Sequence, residues 1–493
     1  MQGQKIRRVV IAGGGTAGWC AAAALSKLIG PLIDITLIES EEIGIVGVGE
    51  ATIPTARTFH HFLGIDERAF LKASNATYKL GIAFENWGRE GDRYIHSFGE
   101  IGKSNWMAPF HHVWMAARDK GFGGDLSDYC FELQAAEQGR FFTSDTARIN
   151  YAYHFDAVLY GRFLRQFSEA NGVRRIEGRI RHVQQDAESG FITALDLESG
   201  ETVEGDLFID CTGFKGLLIE ETLKTGFEDW SHWLPTDRAL AVQTASAGRL
   251  DPYTRAIAHG EGWRWRIPLQ NRVGNGLVYS SAHLSDEAAR ERLMGMLDAE
   301  PLTEPRLIRY RTGRRRQIWN RNCLTLGLSS GFIEPLESTS IHLFQVAVTR
   351  LIQLFPFGGI TEALTAHYNE LARREIEKVR DFVVLHYKLT ERDDSDFWRE
   401  RRDMAVPDSL SERIEMFREH AHAWQASDDL FRVDSWVQVL RGQRLEPRSH
   451  HGIGDLMGET QLRQALESLR QNIARTVAAM PTHEAFLKSY LGN

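Results

Sequence analysis

The stretch Ile6-Arg7-Arg8-Val9-Val10-Ile11-Ala12-Gly13-Gly14-Gly15-Thr16-Ala17-Gly18-Trp19 decides the fold. An apolar run rich in Ile and Val over residues 6–12 reads as a buried strand, and the glycines break it. Residues 19–29 are alanine-rich and read as a helix; residues 33–38 read as a second buried strand. Strand, turn, helix and strand in that order open a doubly wound α/β module. Gly13, Gly15 and Gly18 fit G-x-G-x-x-G. The first permits the tight turn, the second lets a phosphate approach the backbone, and the third lets helix and strand pack. Thr16 and Ala17 lie in this turn and are cofactor-binding candidates; the helix start that follows offers free N–H groups and a positive dipole end to a pyrophosphate. Glu39 ends the second strand, where an acid would accept bonds from ribose hydroxyls.

Two further segments favour FAD over NAD. Asp206-Leu207-Phe208-Ile209-Asp210-Cys211-Thr212-Gly213 is an apolar strand ending in a small-residue turn, like a second flavin fingerprint. A single unit for NAD has no need of it. Val46-Gly47-Val48-Gly49-Glu50-Ala51-Thr52-Ile53-Pro54 is a glycine-rich loop that could wrap the flavin, with Gly49, Glu50 and Ala51 as binding candidates.

The remainder of the chain is read around this module. Its 493 residues provide for two or three domain-sized units. A net charge of -8 argues against nucleic acid or an anionic membrane as partner. No stretch approaches a membrane span, and Cys20, Cys130, Cys211 and Cys323 are far apart with no C-x-x-C. A reducing, cytoplasmic setting is expected. We divide the chain into residues 1–360, an FAD module interrupted by β-rich substrate segments near 61–150 and 220–315, and residues 361–493, a mainly helical region covering the substrate site. Adjacent histidine pairs point apart, so no metal site is expected.

Trp263-Arg264-Trp265-Arg266-Ile267-Pro268 reads as a strand. Alternation puts Trp263, Trp265 and Ile267 on one face, Arg264 and Arg266 on the other. Pro268 cannot donate a ladder hydrogen bond and ends the strand. The two indoles make a wide, rigid apolar wall.

Together these segments resemble the flavin-dependent halogenases of the tryptophan-halogenase type. The resemblance is carried by G-G-G-T-A-G-W at Gly13 to Trp19, G-V-G-E-A-T-I-P at Gly47 to Pro54, and Lys79. It continues through Tyr153-His154-Phe155-Asp156, W-x-W-x-I-P, and Glu334-Pro335-Leu336-Glu337-Ser338-Thr339. It implies a monooxygenase-like (GR2-type), Rossmann-like FAD-binding module. It also implies that reduced FAD, dioxygen and chloride or bromide give hypohalous acid, which reaches Lys79 and halogenates an electron-rich aromatic. Lys79 and Glu337 are the catalytic residues so implied, the carboxylate stabilising the cationic ring and accepting its proton. Backbone amides of Thr339 and Ser340 would hold halide at a helix start; the family usually has glycine where Ser340 stands. His96 and Phe98 correspond to the pair that stacks on the substrate ring. Ser338, Trp263, Trp265, Ile267 and Pro268 would line the tunnel and keep substrate off the flavin. The stretch between Asp393 and Trp436 does not match the loop by which tryptophan-specific members hold the amino-acid group. The substrate is therefore left as an indole-like or other electron-rich aromatic. A separate NAD(P)H-dependent flavin reductase is expected because one dinucleotide fingerprint is visible, and a homodimer is left open.

Two other readings compete. An FAD-dependent aromatic hydroxylase shares the module but has no use for Lys79 or the indole pair. Gly327-Leu328-Ser329-Ser330-Gly331 matches the hydrolase elbow G-x-S-x-G, in which Ser329 would be an exposed nucleophile.

Overall fold

The computed structural model describes residues 5–42, 49–104, 106–144, 146 and 149–492. Val46, Gly47 and Val48 of the glycine-rich loop lie outside the described residues. The chain forms two compact units, and it passes between them repeatedly. One comprises Met1–Ala76, Phe155–Asp237 and Arg309–Glu377; the other comprises Thr77–His154, Arg238–Ile308 and Lys378–Asn493.

The first unit is built on a six-stranded sheet ordered Trp319–Asn320, Cys323–Thr325, Leu207–Asp210, Arg8–Ala12, Asp34–Glu39, Arg174–Glu177. All neighbours are parallel except the terminal Trp319–Asn320 pair. Parallel strands are covered on both faces, which is why residues 9–12 are a continuous apolar run with no alternation. Val10, Ile38 and Phe208 pack with Leu195 and Leu197 from a smaller antiparallel sheet. The helix Thr16–Ile29 carries Ala21, Ala22, Ala23 and Ala24, all fully buried. Those small side chains let it lie against the helices Ala157–Ala170 and Ser340–Gln353. The helix begins at Thr16, three residues ahead of the expected start, because Gly15 already serves as its N-cap. Asp156 caps Ala157–Ala170 by accepting from the Val158 and Leu159 amides at 2.9 and 3.1 Å.

The second unit carries a seven-stranded sheet whose strands run in the order Arg306–Arg309, Arg238–Ala245, Arg272–Tyr279, Gly262–Pro268, Thr254–His259, Gly81–Glu85, Arg93–Ser97. The tryptophan strand ends at Pro268, as its sequence requires. All seven of its residues are buried, arginines included. Arg264 donates to Asn275 Oδ1 at 2.8 Å and to the Met296 carbonyl; Arg266 donates to Asp298 Oδ2 at 3.1 Å and the Ala247 carbonyl at 3.0 Å. Met296 is the C-cap of Asp286–Gly295, so Arg264 also meets the negative end of a helix dipole. That helix interrupts the expected β-rich region; Ser285 caps it at the Ala288 amide, and Asp286 and Glu287 occupy its first turn. The C-terminal part is helical: Glu362–Lys388, Asp408–His420, Val433–Gly442, Glu459–Ala479 and His483–Leu491. Among the described residues no helix is long and apolar enough to cross a membrane.

Trp265 lies directly across from Gly276, and its indole covers that glycine. A Cβ at residue 276 would fall 1.9 Å from Trp265 Cζ2. Gly276→Ala should therefore displace the indole and cost about 1–3 kcal/mol. Denaturant unfolding with tryptophan fluorescence measures this; an unchanged midpoint would show that the wall is loosely packed.

Candidate active site

In the first unit the glycine turn has the geometry its spacing implies. Gly13 has φ +110°, and a Cβ there would meet the Cys211 carbonyl oxygen at 2.3 Å. The two fingerprint strands thus approach too closely for any side chain. A Cβ on Gly18 would meet the Gly13 carbonyl oxygen at 2.0 Å, so helix and strand touch backbone to backbone. A Cβ on Gly15 would meet nothing within 4 Å. This is the open position, at a helix N-terminus, that a phosphate would take. Thr16 is buried, and Ala17 packs against Gly327, whose added Cβ would lie 2.7 Å from its methyl group.

Glu39 sits at the end of its strand, as expected, and its carboxylate is fixed there. Arg175 Nε donates to Oε1 at 2.6 Å and Trp19 Nε1 to Oε2 at 3.3 Å. The carboxylate also lies over the turn, since a Cβ on Gly14 would fall 1.6 Å from Oε2. Asp210 holds the second fingerprint turn. Its Oδ2 accepts from the Leu218 and Ile219 amides, each at 2.8 Å, and its Oδ1 from the Thr212 amide and hydroxyl at 2.9 and 2.7 Å. Ser329 is buried, with its hydroxyl 2.5 Å from the Asp210 carbonyl and 2.8 Å from that of Leu326. It ties strand ends together and is no exposed nucleophile, which removes the hydrolase reading.

Gly49, Glu50 and Ala51 form a short strand. Burial, with Asp156 adding, pushes the Glu50 carboxyl up to about 7. The chain continues to Thr55, whose Oγ1 is 2.9 Å from His342 Nδ1 in the first turn of Ser340–Gln353. The candidate flavin loop and the candidate halide helix are therefore joined by a part-buried hydrogen bond. Ahead of that helix, Pro335–Glu337 makes one 3-10 turn with Glu337 buried. Ser338 is left-handed at φ 57°, a conformation costing an L-residue about 1–2 kcal/mol. It re-aims the chain between Glu337 and the helix. Thr339 and Ser340, although of capping type, lead into the helix with no side-chain cap from Thr339. Glu334, not chosen from sequence, is also fully buried.

In the second unit Lys79 is fully buried, where a sequence-only reading would let it snorkel to water. It lies on Thr77–Lys79, antiparallel to Ala152–Asp156 and directly opposite Ala152, whose small side chain leaves room for the lysine stem. Its Nζ is 5.3 Å from the Phe98 ring centroid, within cation–π range. His96 is buried two residues earlier, its ring 5.5 and 6.2 Å from Phe382 and Phe431. Phe382 and Phe431 stack at 3.7 Å, and Trp436 meets Phe382 edge-on at 4.9 Å. Trp263 is 6.2 Å from Trp265 and 6.4 Å from Trp87, which in turn meets Trp398 at 5.5 Å and His386 at 6.1 Å. Ile267 is buried in the same strand, and the Pro268 carbonyl accepts from Thr77 Oγ1 at 2.8 Å. So the lysine strand and the hexapeptide are directly linked. Trp87, Phe382, His386, Phe431 and Trp436 were missed from sequence; the only local signal was the Phe382/His386 spacing, one helical turn apart.

The family model for tryptophan halogenases matches residues 8–459. Tryptophan 7-halogenase RebH from Lentzea aerocolonigenes is 39% identical over 439 residues, 84% of this chain and 82% of that protein. A flavin-dependent halogenase from Xanthomonas campestris superposes with a TM-score of 0.97 at 53% identity, over 99% of both chains. BrvH, a flavin-dependent halogenase from Brevundimonas sp. BAL3, gives 0.94 at 44% identity, again over 99% of both.

Gly15→Ala should leave folding intact but weaken FAD binding about tenfold, or ~1.4 kcal/mol. Gly18→Ala should instead lower stability, because its clash is with backbone. Flavin titration and thermal melting separate the two; wild-type FAD affinity in Gly15→Ala would move the phosphate elsewhere. A second expectation concerns pH. Burial lowers His60, His342 and His483 from 6.5 to about 4, so the unfolded chain binds more protons within that window. His111, His112, His154 and His259 are lowered by burial as well, and together these histidines outweigh Glu50, raised to about 7, and buried carboxyls such as Glu132 and Glu375 that are raised and act in the opposite sense. Stability should fall on acidification from about pH 6.5 to 4. Denaturant midpoints at intervals across that range test it, and a flat profile contradicts the neutral assignments.

Proposed function

The chain belongs to the tryptophan halogenase family of flavin-dependent halogenases, and from that premise we propose how its own residues perform aromatic halogenation. Membership implies FAD as cofactor and a halide as co-substrate. The cradle fits FAD: an open Gly15 at a helix N-terminus, a fixed Glu39 carboxylate beside it, and a second fingerprint turn held by Asp210. When bound in reduced form with dioxygen and chloride or bromide, FAD supplies hypohalous acid. Thr339 and Ser340 offer helix-start amides to the halide, and Ser340 carries a hydroxymethyl group where the family usually has none.

The observation that carries the reading is Lys79, fully buried with its Nζ over the Phe98 ring. Withdrawing an ammonium from water costs several kcal/mol, and such perturbed charges cluster where they do chemistry. Here it donates a hydrogen bond to hypohalous acid and makes the halogen more electrophilic. The aromatic substrate, indole-like, presents its ring to His96 and Phe98. Attack of the ring on the halogen breaks the oxygen–halogen bond; the leaving hydroxide takes a proton from the Lys79 ammonium and departs as water, and the Glu337 carboxylate stabilises the cationic ring before taking its proton. Trp263, Trp265, Ile267, Pro268 and Ser338 wall the path, so that the ring is halogenated at Lys79 and not hydroxylated. A separate NAD(P)H-dependent reductase supplies reduced FAD. Its setting is the reducing cytoplasm, in keeping with four free cysteines.

The test is mass spectrometry of an indole panel incubated with enzyme, a flavin reductase, NADH, FAD and either chloride or bromide. Halogen isotope patterns should appear with wild type. Lys79→Ala should lose about 100-fold or more of the product while flavin oxidation continues, and Glu337→Gln should slow halogenation roughly 100-fold with FAD binding retained. Near wild-type halogenation by Lys79→Ala overturns the mechanism.

A further inference from the structure

Two imidazoles grip the strand Thr77–Lys79. His154 lies directly across from Thr77. Its Nδ1 is 3.1 Å from Thr77 Oγ1 and its Nε2 is 2.9 Å from Thr254 Oγ1. Thr77 donates its one hydroxyl proton to the Pro268 carbonyl, so it must accept from His154 Nδ1–H. His483, in the C-terminal helix His483–Leu491, reaches the next residue. The Tyr78 amide donates to His483 Nε2 at 3.1 Å, across 405 residues of sequence. On its other side His483 Nδ1 is 3.0 Å from the Leu250 carbonyl, which can only accept. His483 is therefore neutral with its proton on Nδ1. His154 is held in the same form: burial and the Lys79 charge both push its pKa well below the ordinary value, with His483 adding. His483 is lowered chiefly by burial, with the Leu250 carbonyl, Asp251 and Glu484 opposing weakly.

The helix is seated beside the strand by rings on the opposite face. Tyr78 stacks on Phe141 at 4.0 Å and meets Phe486 at 5.7 Å. Thr77 and Lys79 share the other face by strand alternation. The geometry points to His154 and His483 as a clamp of two neutral imidazoles that positions Lys79, one holding the side chain before it and one the backbone. Neither imidazole is a catalytic residue; both act through the strand. The Lys79 end of this inference rests on the function proposed above. A neutral clamp also spares Lys79 a second buried positive charge.

The test compares apolar with hydrogen-bonding replacements. In His154→Asn the side-chain amide nitrogen can take the place of Nδ1–H. In His483→Gln the side-chain oxygen can take the place of Nε2. In His154→Leu and His483→Leu, FAD binding and flavin oxidation should persist while halogenated product per flavin oxidised falls about tenfold or more. His154→Asn and His483→Gln should recover most of it. An unchanged ratio in folded Leu variants, or equal impairment of Leu and polar variants, overturns the clamp. A readout independent of activity comes from nitrogen NMR of histidine-labelled wild type at neutral pH. Both imidazoles should show the neutral Nδ1–H tautomer, and either one charged or protonated on Nε2 overturns the proposal. This second measurement decides the matter if the Leu variants do not fold. If wild type yields no Lys79-dependent product, the function reading falls and the tautomers alone decide the clamp.

Discussion

Burying the Lys79 ammonium carries a desolvation cost of several kcal/mol, and the surroundings of its strand are organised to bear it. Phe98 presents a ring face to the charge, Ala152 gives the stem room, and the neighbouring His154 stays neutral. The strand is short, three residues, and could not hold its register through ladder hydrogen bonds alone. Side-chain ties replace the missing length: Thr77 to Pro268, His154 to Thr254, and the Tyr78 amide to His483. The tryptophan strand, the lysine strand and the C-terminal helix are thereby tied together around Lys79.

The first unit solves a different problem. Phosphate recognition by backbone requires that nothing protrude from the turn. Gly13 and Gly18 are taken up by strand and helix contact, and of the three fingerprint glycines Gly15 alone faces open space. The fixed carboxylates of Glu39 and Asp210 are already committed to local donors, so both fingerprint turns are rigid without a ligand. The Thr55–His342 hydrogen bond carries that rigidity from the loop after Gly49–Ala51 to the start of the helix at Ser340.

Much of this was legible in the chain because it depends on short-range periodicity. The strand–turn–helix opening, the termination at Pro268 and the shared face of Trp263 and Trp265 all follow from spacings of a few residues. The helix Asp286–Gly295 was legible too, through Ser285 and the two acids after it, but was absorbed into a region read as β-rich. The arginines of the tryptophan strand show where pattern reading fails. Alternation put them on the far face correctly, yet that face is covered, and their charges are met by Asp298 and two carbonyls. Ser329 shows the converse. Its motif suggested an exposed nucleophile, whereas three oxygens surround its hydroxyl in the interior.

The sequence by itself determined the dinucleotide turn, the order of the opening elements and the family resemblance, because steric limits on glycine and the two-residue period of a strand act locally. Only the tertiary structure decided that Lys79 is withheld from water. It alone brought Phe382, Phe431 and Trp436 beside His96, and His483 to the Tyr78 amide. Burial and hydrogen-bond partnership are properties of chain segments that meet from hundreds of residues apart, and no local spacing encodes them.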